Sequence, residues 1–285
     1  MIRLIGILVG LFFAVMALWA FGSGAATVIG EGQLKEPSAE HSFHKEPKAL
    51  HLASDGPMGK FDRQELQRGS QVYREVCKAC HSLRLVAFRD LGDLGYTEGQ
   101  VKAEAATWMV PGIDDKTGEE TMRAGIPTDY FPKPFANDIA ARAANNNAIP
   151  PDLSLMTKAR EGGAAYVYSL LTGYQAQPAA LLKRFPDAKT PAGLYYNPYF
   201  PNLNLAMPPP LATEGQVTYA DGTKATVDQM AKDVAAFLVW TAEPKLEKRH
   251  QTGWPVLGFL LFATVLAWMA KRQVWAPVKP NKRKA

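Results

Sequence analysis

Cysteine is scarce in this sequence: Cys77 and Cys80 are the only two among 285 residues. A disulfide between them would close a very small loop and stabilise little, so a disulfide-stabilised scaffold is excluded. Sustained alternation of apolar and polar residues is also lacking, as are internal repeats. Because half-buried strands require such alternation, the sequence predicts a mainly α-helical fold with long irregular loops.

Formal charge is absent from two long apolar segments. Residues 4–21 follow Arg3 and precede a run of small residues, an arrangement that is typical of export signals. Residues 1–26 are therefore predicted to be a signal peptide or, if uncleaved, an N-terminal anchor. Residues 250–270 contain no Asp, Glu, Lys or Arg. About 20 apolar residues span a bilayer as a helix, so a transmembrane helix is predicted over residues 250–271.

Acidic residues are absent from the C-terminal tail, residues 272–285, which is rich in Lys and Arg. The positive-inside rule places such a tail in the cytoplasm. The sequence thus predicts a membrane protein with a single C-terminal anchor. It would carry a polar arm over residues 27–60 and an exported domain over residues 61–249.

The excess of basic residues is confined to the ends of the chain. There are 32 Lys and Arg against 27 Asp and Glu, but without Arg3 and the six basic residues of segment 271–285 the balance is 25 against 27. The basic isoelectric point is therefore a result of membrane topology and no sign of nucleic-acid binding, and the exported part favours a cationic partner. Its acidic segment 104–120 is interpreted either as a solvated loop or as a docking surface.

Three helices are predicted in the exported domain. The first begins at Asp62, with Glu65 in the position of a capping box, and its apolar face carries both cysteines at its end. The second is capped by Thr226 and ends before Pro244. The third covers residues 152–160 and continues after a pair of glycines.

The two cysteines belong to a Cys-x-x-Cys-His motif. Such a pair can be a redox dithiol, a haem attachment point, or half of a zinc site completed by two of His41, His44, His51 and His81. The adjacent His81 favours the haem, because both thiols can add to the vinyl groups while the imidazole reaches the iron. One covalently attached haem c is therefore predicted on Cys77, Cys80 and His81.

The other face of the iron needs a ligand or an open site. An open site would bind small molecules and suit a peroxidase, whereas a methionine would suit electron transfer. Met207 is the preferred candidate because residues 208–210 are all proline, and proline fixes the backbone of the loop. Met109 and Met122 remain competitors, while Met156 fits a helix core.

From residue 60 to the C-terminus, the chain closely resembles the cytochrome c1 family. The resemblance is carried by "RGSQVYREVCKACHSL", "ARAANNNAIPPDLSLMTKAREGG", "YYNPYFPNLNLAMPPPL" and the single C-terminal anchor. It implies a c-type cytochrome domain with His81 and Met207 as axial ligands. It also implies that the carbonyl of Pro151 accepts the other ring proton of His81, and that Arg160 pairs with a haem propionate.

The resemblance also implies a function within the ubiquinol-cytochrome c oxidoreductase, the cytochrome bc1 complex. A membrane-anchored chain of this family would relay single electrons from the Rieske iron-sulfur protein to a soluble or anchored c-type cytochrome. Its transmembrane helix would pack against the cytochrome b subunit in a dimeric complex. The chain alone would be an electron carrier, and it would be part of an enzyme as a subunit. The alternatives are a membrane-anchored haem peroxidase and a zinc or dithiol protein.

The chain departs from the family pattern in three places. Ser70 stands where many members carry Phe, the arm over residues 27–60 lacks an expected Trp, and there are no cysteines for the additional disulfide of some bacterial members. None of these departures touches the haem motif.

Overall fold

The computed structural model describes residues 2–30 and 38–278 of the chain. These residues form the following helices, in order: α1 (Ile2–Gly30), α2 (Ala39–Phe43), α3 (Arg63–Glu75), α4 (Glu98–Ala106), α5 (Asp138–Ala144), α6 (Met156–Ala159), α7 (Gly163–Leu171), α8 (Ala179–Arg184), α9 (Val227–Ala242) and α10 (Leu246–Trp275). Short 3₁₀ turns cover Cys77–Ala79, Phe88–Leu94 and Pro186–Ala188. Two small antiparallel sheets are formed by β1 (Met109–Ile113) with β2 (Glu120–Ala124) and by β3 (Tyr195–Tyr196) with β4 (Asn204–Leu205). The prediction of a mainly helical fold with long loops is confirmed.

The two capped helices, α3 and α9, form the centre of the domain. Asp62 Oδ1 accepts hydrogen bonds from the first free backbone N–H groups of α3, and Thr226 Oγ1 does the same for α9. Both helix starts are therefore confirmed. The helices cross at Gly69, where an added Cβ would lie 2.0 Å from the carbonyl oxygen of Asp233. Only glycine permits this close approach, which brings α3 onto the buried aromatic face of α9.

The end of α3 differs from the prediction. The helix stops at Glu75, and Cys77 begins a separate 3₁₀ turn. Both cysteines therefore lie beyond the helix, where they are partly exposed, and Cys77 still packs against the core. The tighter turn brings both of them to the wall of a cavity.

The third predicted helix is much shorter than expected. Of residues 152–160, only Met156–Ala159 are helical, and α7 begins after Gly162, whose φ is 77°. The preceding segment is held away from helical geometry because Asp152 and Ser154 bond to the chain near residues 82–85. These tertiary contacts override the local helix signal.

Segment 104–120, interpreted from the sequence as a solvated loop or a docking surface, contains regular secondary structure. It contains the end of α4 and the first strand of a hairpin in which Met109 faces Ala124 across the ladder. The acidic tip is closed by a hydrogen bond from Asp114 N to Glu119 O, 2.9 Å long. Most residues of both strands are exposed, which explains why the segment shows no alternation.

The arm over residues 38–60 is mostly irregular but lies against the domain. Lys48 N donates to Ser169 Oγ at 2.8 Å, and Lys48 Nζ donates to Thr172 Oγ1 at 2.7 Å. Phe43 of the arm packs edge to face on Phe185. Residues 31–37, which the predicted arm also included, lie outside the described residues.

Two helices, covering Arg3–Gly30 and Leu246–Trp275, are long and apolar enough to cross a membrane. The C-terminal one begins before the predicted start at residue 250. Its first turn is fixed to the domain because Glu247 accepts hydrogen bonds from Phe61 N and from the guanidinium of Arg63. Residues 279–285 of the predicted tail lie outside the described residues.

Candidate cofactor site

A largely apolar cavity of about 490 Å³ lies beside the Cys-x-x-Cys-His motif. A cavity of this size falls within the range of small-molecule and cofactor sites. Its wall is built from the turn after α3, the loop before α6, helices α6, α7 and α9, and strand β4 with the loop after it. All six residues singled out from the sequence line this one cavity: Cys77, Cys80, His81, Pro151, Arg160 and Met207.

The 3₁₀ turn gathers the first three of these residues. Cys80 N and His81 N both donate to the carbonyl of Cys77, at 3.2 and 2.9 Å. The two thiols are free, so no disulfide competes for them. Burial raises the pKa of the Cys77 thiol to about 12, and the group is therefore a neutral thiol at physiological pH.

His81 is fixed at both its backbone and its ring. The hydroxyl of Tyr73 donates to the carbonyl of His81 at 3.0 Å, and ring atom Nδ1 lies 2.8 Å from the carbonyl oxygen of Pro151. Because a carbonyl can only accept, Nδ1 carries the proton and Nε2 is left with a free lone pair. Burial lowers the pKa of His81, although the Pro151 bond and the charge of Asp152 act against that change. The imidazole is thus held neutral and ready to bind a metal.

Asp152 was not singled out from the sequence, yet it organises this part of the site. Its carboxylate accepts hydrogen bonds from Ser82 Oγ at 2.7 Å, Arg84 N at 2.9 Å and Ser154 N at 3.0 Å. An acidic residue directly after two prolines offers no motif by itself, and only the fold brings its three donors together.

Met207 enters the cavity wall from the loop after β4. Its carbonyl accepts a hydrogen bond from the hydroxyl of Tyr174 at 3.1 Å, which ties the loop to the chain after α7. The two competing methionines, Met109 and Met122, lie in the exposed hairpin at 53% and 54% exposure and do not line the cavity. Met156 does line it, and so it is a second thioether near the site.

Arg160 provides the single Lys or Arg side chain in the described wall of the cavity. Burial raises the pKa of Tyr166, another residue of the wall, and the nearby guanidinium of Arg160 acts against that change. A guanidinium at the edge of an apolar cavity can pair with a carboxylate through two parallel hydrogen bonds. Tyr166 was overlooked in the sequence because it falls on the ordinary apolar stripe of α7.

This set of groups suits a haem better than the alternatives. An imidazole nitrogen, a thioether, two free thiols, apolar walls and one guanidinium are the functional groups that a c-type haem needs. In the described part of the chain, no group of three or more His, Cys, Asp or Glu residues comes together to hold a metal ion. The four-ligand zinc site considered from the sequence is therefore not assembled there.

Comparisons with known proteins agree with the sequence resemblance. A family model described as "Cytochrome C1 family" matches residues 52–278. The chain is 45% identical over 238 residues to a Rhodospirillum rubrum protein named cytochrome c1, covering 79% of this chain and 85% of that protein. It is 43% identical over 245 residues to a Saccharomyces cerevisiae protein named cytochrome c1, heme protein, mitochondrial, covering 86% and 76%.

A third relative is much longer than this chain. The Bradyrhizobium diazoefficiens protein named cytochrome b/c1 is 44% identical over 267 residues, which are 88% of this chain but 39% of that protein. Since the family model covers most of the chain and the other two relatives align over most of their length, this chain belongs to the cytochrome c1 family.

Proposed function

We propose that this chain is the haem-bearing electron-transfer subunit of a ubiquinol-cytochrome c oxidoreductase, with one covalently attached haem c. One observation carries the proposal: Cys77, Cys80, His81 and Met207, the last more than 120 positions from the others, line the same apolar cavity. The relatives named cytochrome c1 and heme protein support it.

Each residue of the cavity has a distinct task in this proposal. The thiols of Cys77 and Cys80 would hold the haem covalently through its two vinyl groups. Nε2 of His81 and the sulfur of Met207 would bind the iron, and a methionine in place of a second nitrogen ligand would raise the reduction potential. Arg160 would pair with a propionate, and the apolar wall would exclude water.

Pro151 acts on the iron indirectly. A carbonyl that accepts the Nδ1 proton of a ligating histidine fixes the tautomer and makes the imidazole a stronger donor. The distance of 2.8 Å between Nδ1 and the Pro151 oxygen is within the normal range for such a bond.

When bound in this cavity, a haem would supply one-electron transfer, and no bond in a substrate would be broken. We propose that the electron comes from the Rieske iron-sulfur protein and leaves to a soluble or anchored c-type cytochrome. The quinol chemistry would belong to the cytochrome b subunit, a partner that the name of the Bradyrhizobium relative supports. The complex would be dimeric.

The proposed location follows from the terminal segments. Helix α10 would anchor the chain in the bacterial inner membrane and pack against the cytochrome b subunit. The domain over residues 61–249 would lie in the periplasm, and the basic tail over residues 272–285 in the cytoplasm. Residues 1–26 would serve as the export signal or as a second anchor. The fixed first turn of α10 supports a domain held close to the membrane.

The test compares two methionines in the same cavity. In purified full-length protein, Met207→Leu should abolish the axial thioether, lower the reduction potential and make the reduced haem reactive with carbon monoxide. The matched variant Met156→Leu removes the other thioether of the wall and should leave both properties unchanged. Absorption spectra and a redox titration measure each outcome.

Three results would contradict the proposal in different ways. Wild-type protein without haem would refute the cofactor itself. Carbon monoxide binding by the wild type would indicate an open site and favour the peroxidase alternative. A normal Met207→Leu variant together with an altered Met156→Leu variant would move the axial ligand to Met156.

A further inference from the structure

The loop that supplies the Pro151 carbonyl has no regular structure of its own. It lies against the chain after His81, and Asp152 joins the two segments. One carboxylate oxygen accepts from both Ser82 Oγ and Arg84 N, at 2.7 and 2.9 Å, and the other accepts from Ser154 N at 3.0 Å. We call this set of three hydrogen bonds the Asp152 bridge.

Two further hydrogen bonds run alongside the bridge. Leu153 N donates to Ser82 O at 2.9 Å, and Leu85 N donates to Ser154 Oγ at 3.2 Å. Ser154 is fully buried and Leu153 nearly so. The Pro151 carbonyl therefore reaches Nδ1 of His81 from a support that is bonded directly to the residues following that histidine.

The bridge carries a full negative charge. Burial alone would raise the pKa of Asp152, but the hydrogen bonds from Arg84 N, Ser82 Oγ and Ser154 hold it below the ordinary value. The carboxylate thus stays ionised through the physiological range, and it lies near enough to His81 to favour positive charge on that ring.

We propose that Asp152 is a positioning residue for the axial histidine. In this role, which rests on the proposed haem function, Asp152 holds the Pro151 carbonyl against His81 Nδ1. It also keeps a negative charge near the imidazole. Both effects favour the oxidised iron, because a more basic imidazole and a nearby anion each stabilise the higher positive charge. Asp152 touches neither the iron nor a substrate in this role.

The charge and the positioning can be separated by two variants. Asp152→Asn keeps the size of the side chain but removes its charge and forces an amide against three donors. Ser82→Ala keeps the charge and removes one of the bonds that place it. If Asp152 acted only through its charge, Ser82→Ala would leave the reduction potential of the haem unchanged or would favour the oxidised form slightly. The reason is that the carboxylate would keep its charge and lose one hydrogen-bond donor that partly neutralises it.

The control is a second carboxylate with a comparable structural task. Asp129 accepts hydrogen bonds from the guanidinium of Arg123 and from Ile126 N, and it does not line the cavity. Asp129→Asn disturbs a loop in the same domain without altering the surroundings of His81.

All variants would be made in the full chain and purified in detergent with its partner subunits. A redox titration followed in the haem absorption band gives the potential, and electron paramagnetic resonance of the oxidised haem reports the strength and orientation of the axial ligands. Asp152→Asn should shift the redox equilibrium about tenfold toward the reduced form, which is about 59 mV for one electron. Ser82→Ala should shift the redox equilibrium about threefold in the same direction. The resonance positions of the oxidised haem should change in both variants, whereas Asp129→Asn should change neither the potential nor the resonances.

The outcomes distinguish this inference from the proposed function. Wild-type spectra without a six-coordinate haem would overturn the function itself. A normal wild-type haem with unchanged potentials and resonances in both variants would overturn only the role of Asp152. A shift in Asp152→Asn with no change in Ser82→Ala would leave a charge effect and refute positioning. If Asp152→Asn fails to fold, Ser82→Ala and a Ser154→Ala variant, which lacks the bond to Leu85 N, decide the question by the same two measurements.

Discussion

The crossing of α3 and α9 at Gly69 can be tested by adding a single methyl group. In Gly69→Ala the new Cβ would lie 2.0 Å from Asp233 O and 2.7 Å from Phe237 Cβ, whereas ordinary contacts begin at 3.4 Å. The closest atom belongs to a helix backbone and cannot rotate away, so the two helices must separate. Such overpacking costs about 1–3 kcal/mol, and a separated backbone lies at the upper end of that range.

Helix propensity opposes this cost. Alanine is more favourable than glycine inside a helix by about 1 kcal/mol, so the expected net loss for Gly69→Ala is about 2 kcal/mol. For a domain of this size that loss corresponds to a fall in melting temperature of about 4–8 °C. The assay is thermal unfolding of the full-length protein, followed by circular dichroism.

Gly99→Ala is the matched control for this prediction. Gly99 lies in α4 with no atom within 4 Å of an added Cβ, and its replacement should leave stability unchanged or raise it by up to about 1 kcal/mol. Equal stability of Gly69→Ala and Gly99→Ala would show that α3 and α9 do not meet as closely as described.

Three further predictions concern other parts of the domain. Asp233→Ala removes a fully buried carboxylate that pairs with Arg68 of α3 and should lower the free energy of unfolding by about 3 kcal/mol. Asp221 pairs with the more exposed side of Arg68, so Asp221→Ala should lower it far less. Denaturant titrations measure both losses. Tyr174→Phe removes the hydrogen bond to the Met207 carbonyl, worth about 1 kcal/mol. The reduced variant should therefore bind carbon monoxide slowly in flow kinetics, whereas the wild type does not bind it; a variant that is as unreactive as the wild type would exclude the loop restraint. The hydrogen bond from Arg123 holds the pKa of Asp129 in the folded protein below the ordinary value of 3.8. The ionised carboxylate therefore contributes its full stabilisation above pH 3.8, and this stabilisation is lost as the pH falls through the pKa of the folded state. The stability difference between wild type and Asp129→Asn should therefore shrink in acid, and a difference independent of pH would contradict this.

Local chemistry made several features predictable. Asp62 and Thr226 mark helix starts because a side-chain oxygen next to an apolar periodic segment satisfies free N–H groups. His81 follows two cysteines closely enough that its place in the cavity wall could be predicted without knowledge of the fold. Met207 could be preferred because three prolines after it restrict the loop, and the structure places that loop in the cavity wall.

Other features depend on contacts between distant segments and left no local signal. The hairpin over residues 109–124 exposes most of its residues, so no alternation marks its strands. Residues 152–155 are drawn out of a helix by bonds to the chain after His81. The Asp152 bridge is the clearest case, since its three donors come from two segments separated by about 70 positions.

We propose that Cys77 and Cys80 hold one haem covalently, and the rest of the proposed function depends on it. The most direct measurement is a pyridine haemochrome spectrum of the purified full-length chain, combined with its intact mass after extraction with acidified acetone. We expect one haem per chain that survives extraction, with the spectrum of two thioether bonds in the wild type and of one in Cys77→Ala. A chain whose mass shows no haem after extraction, or whose haem is removed intact, would refute covalent attachment.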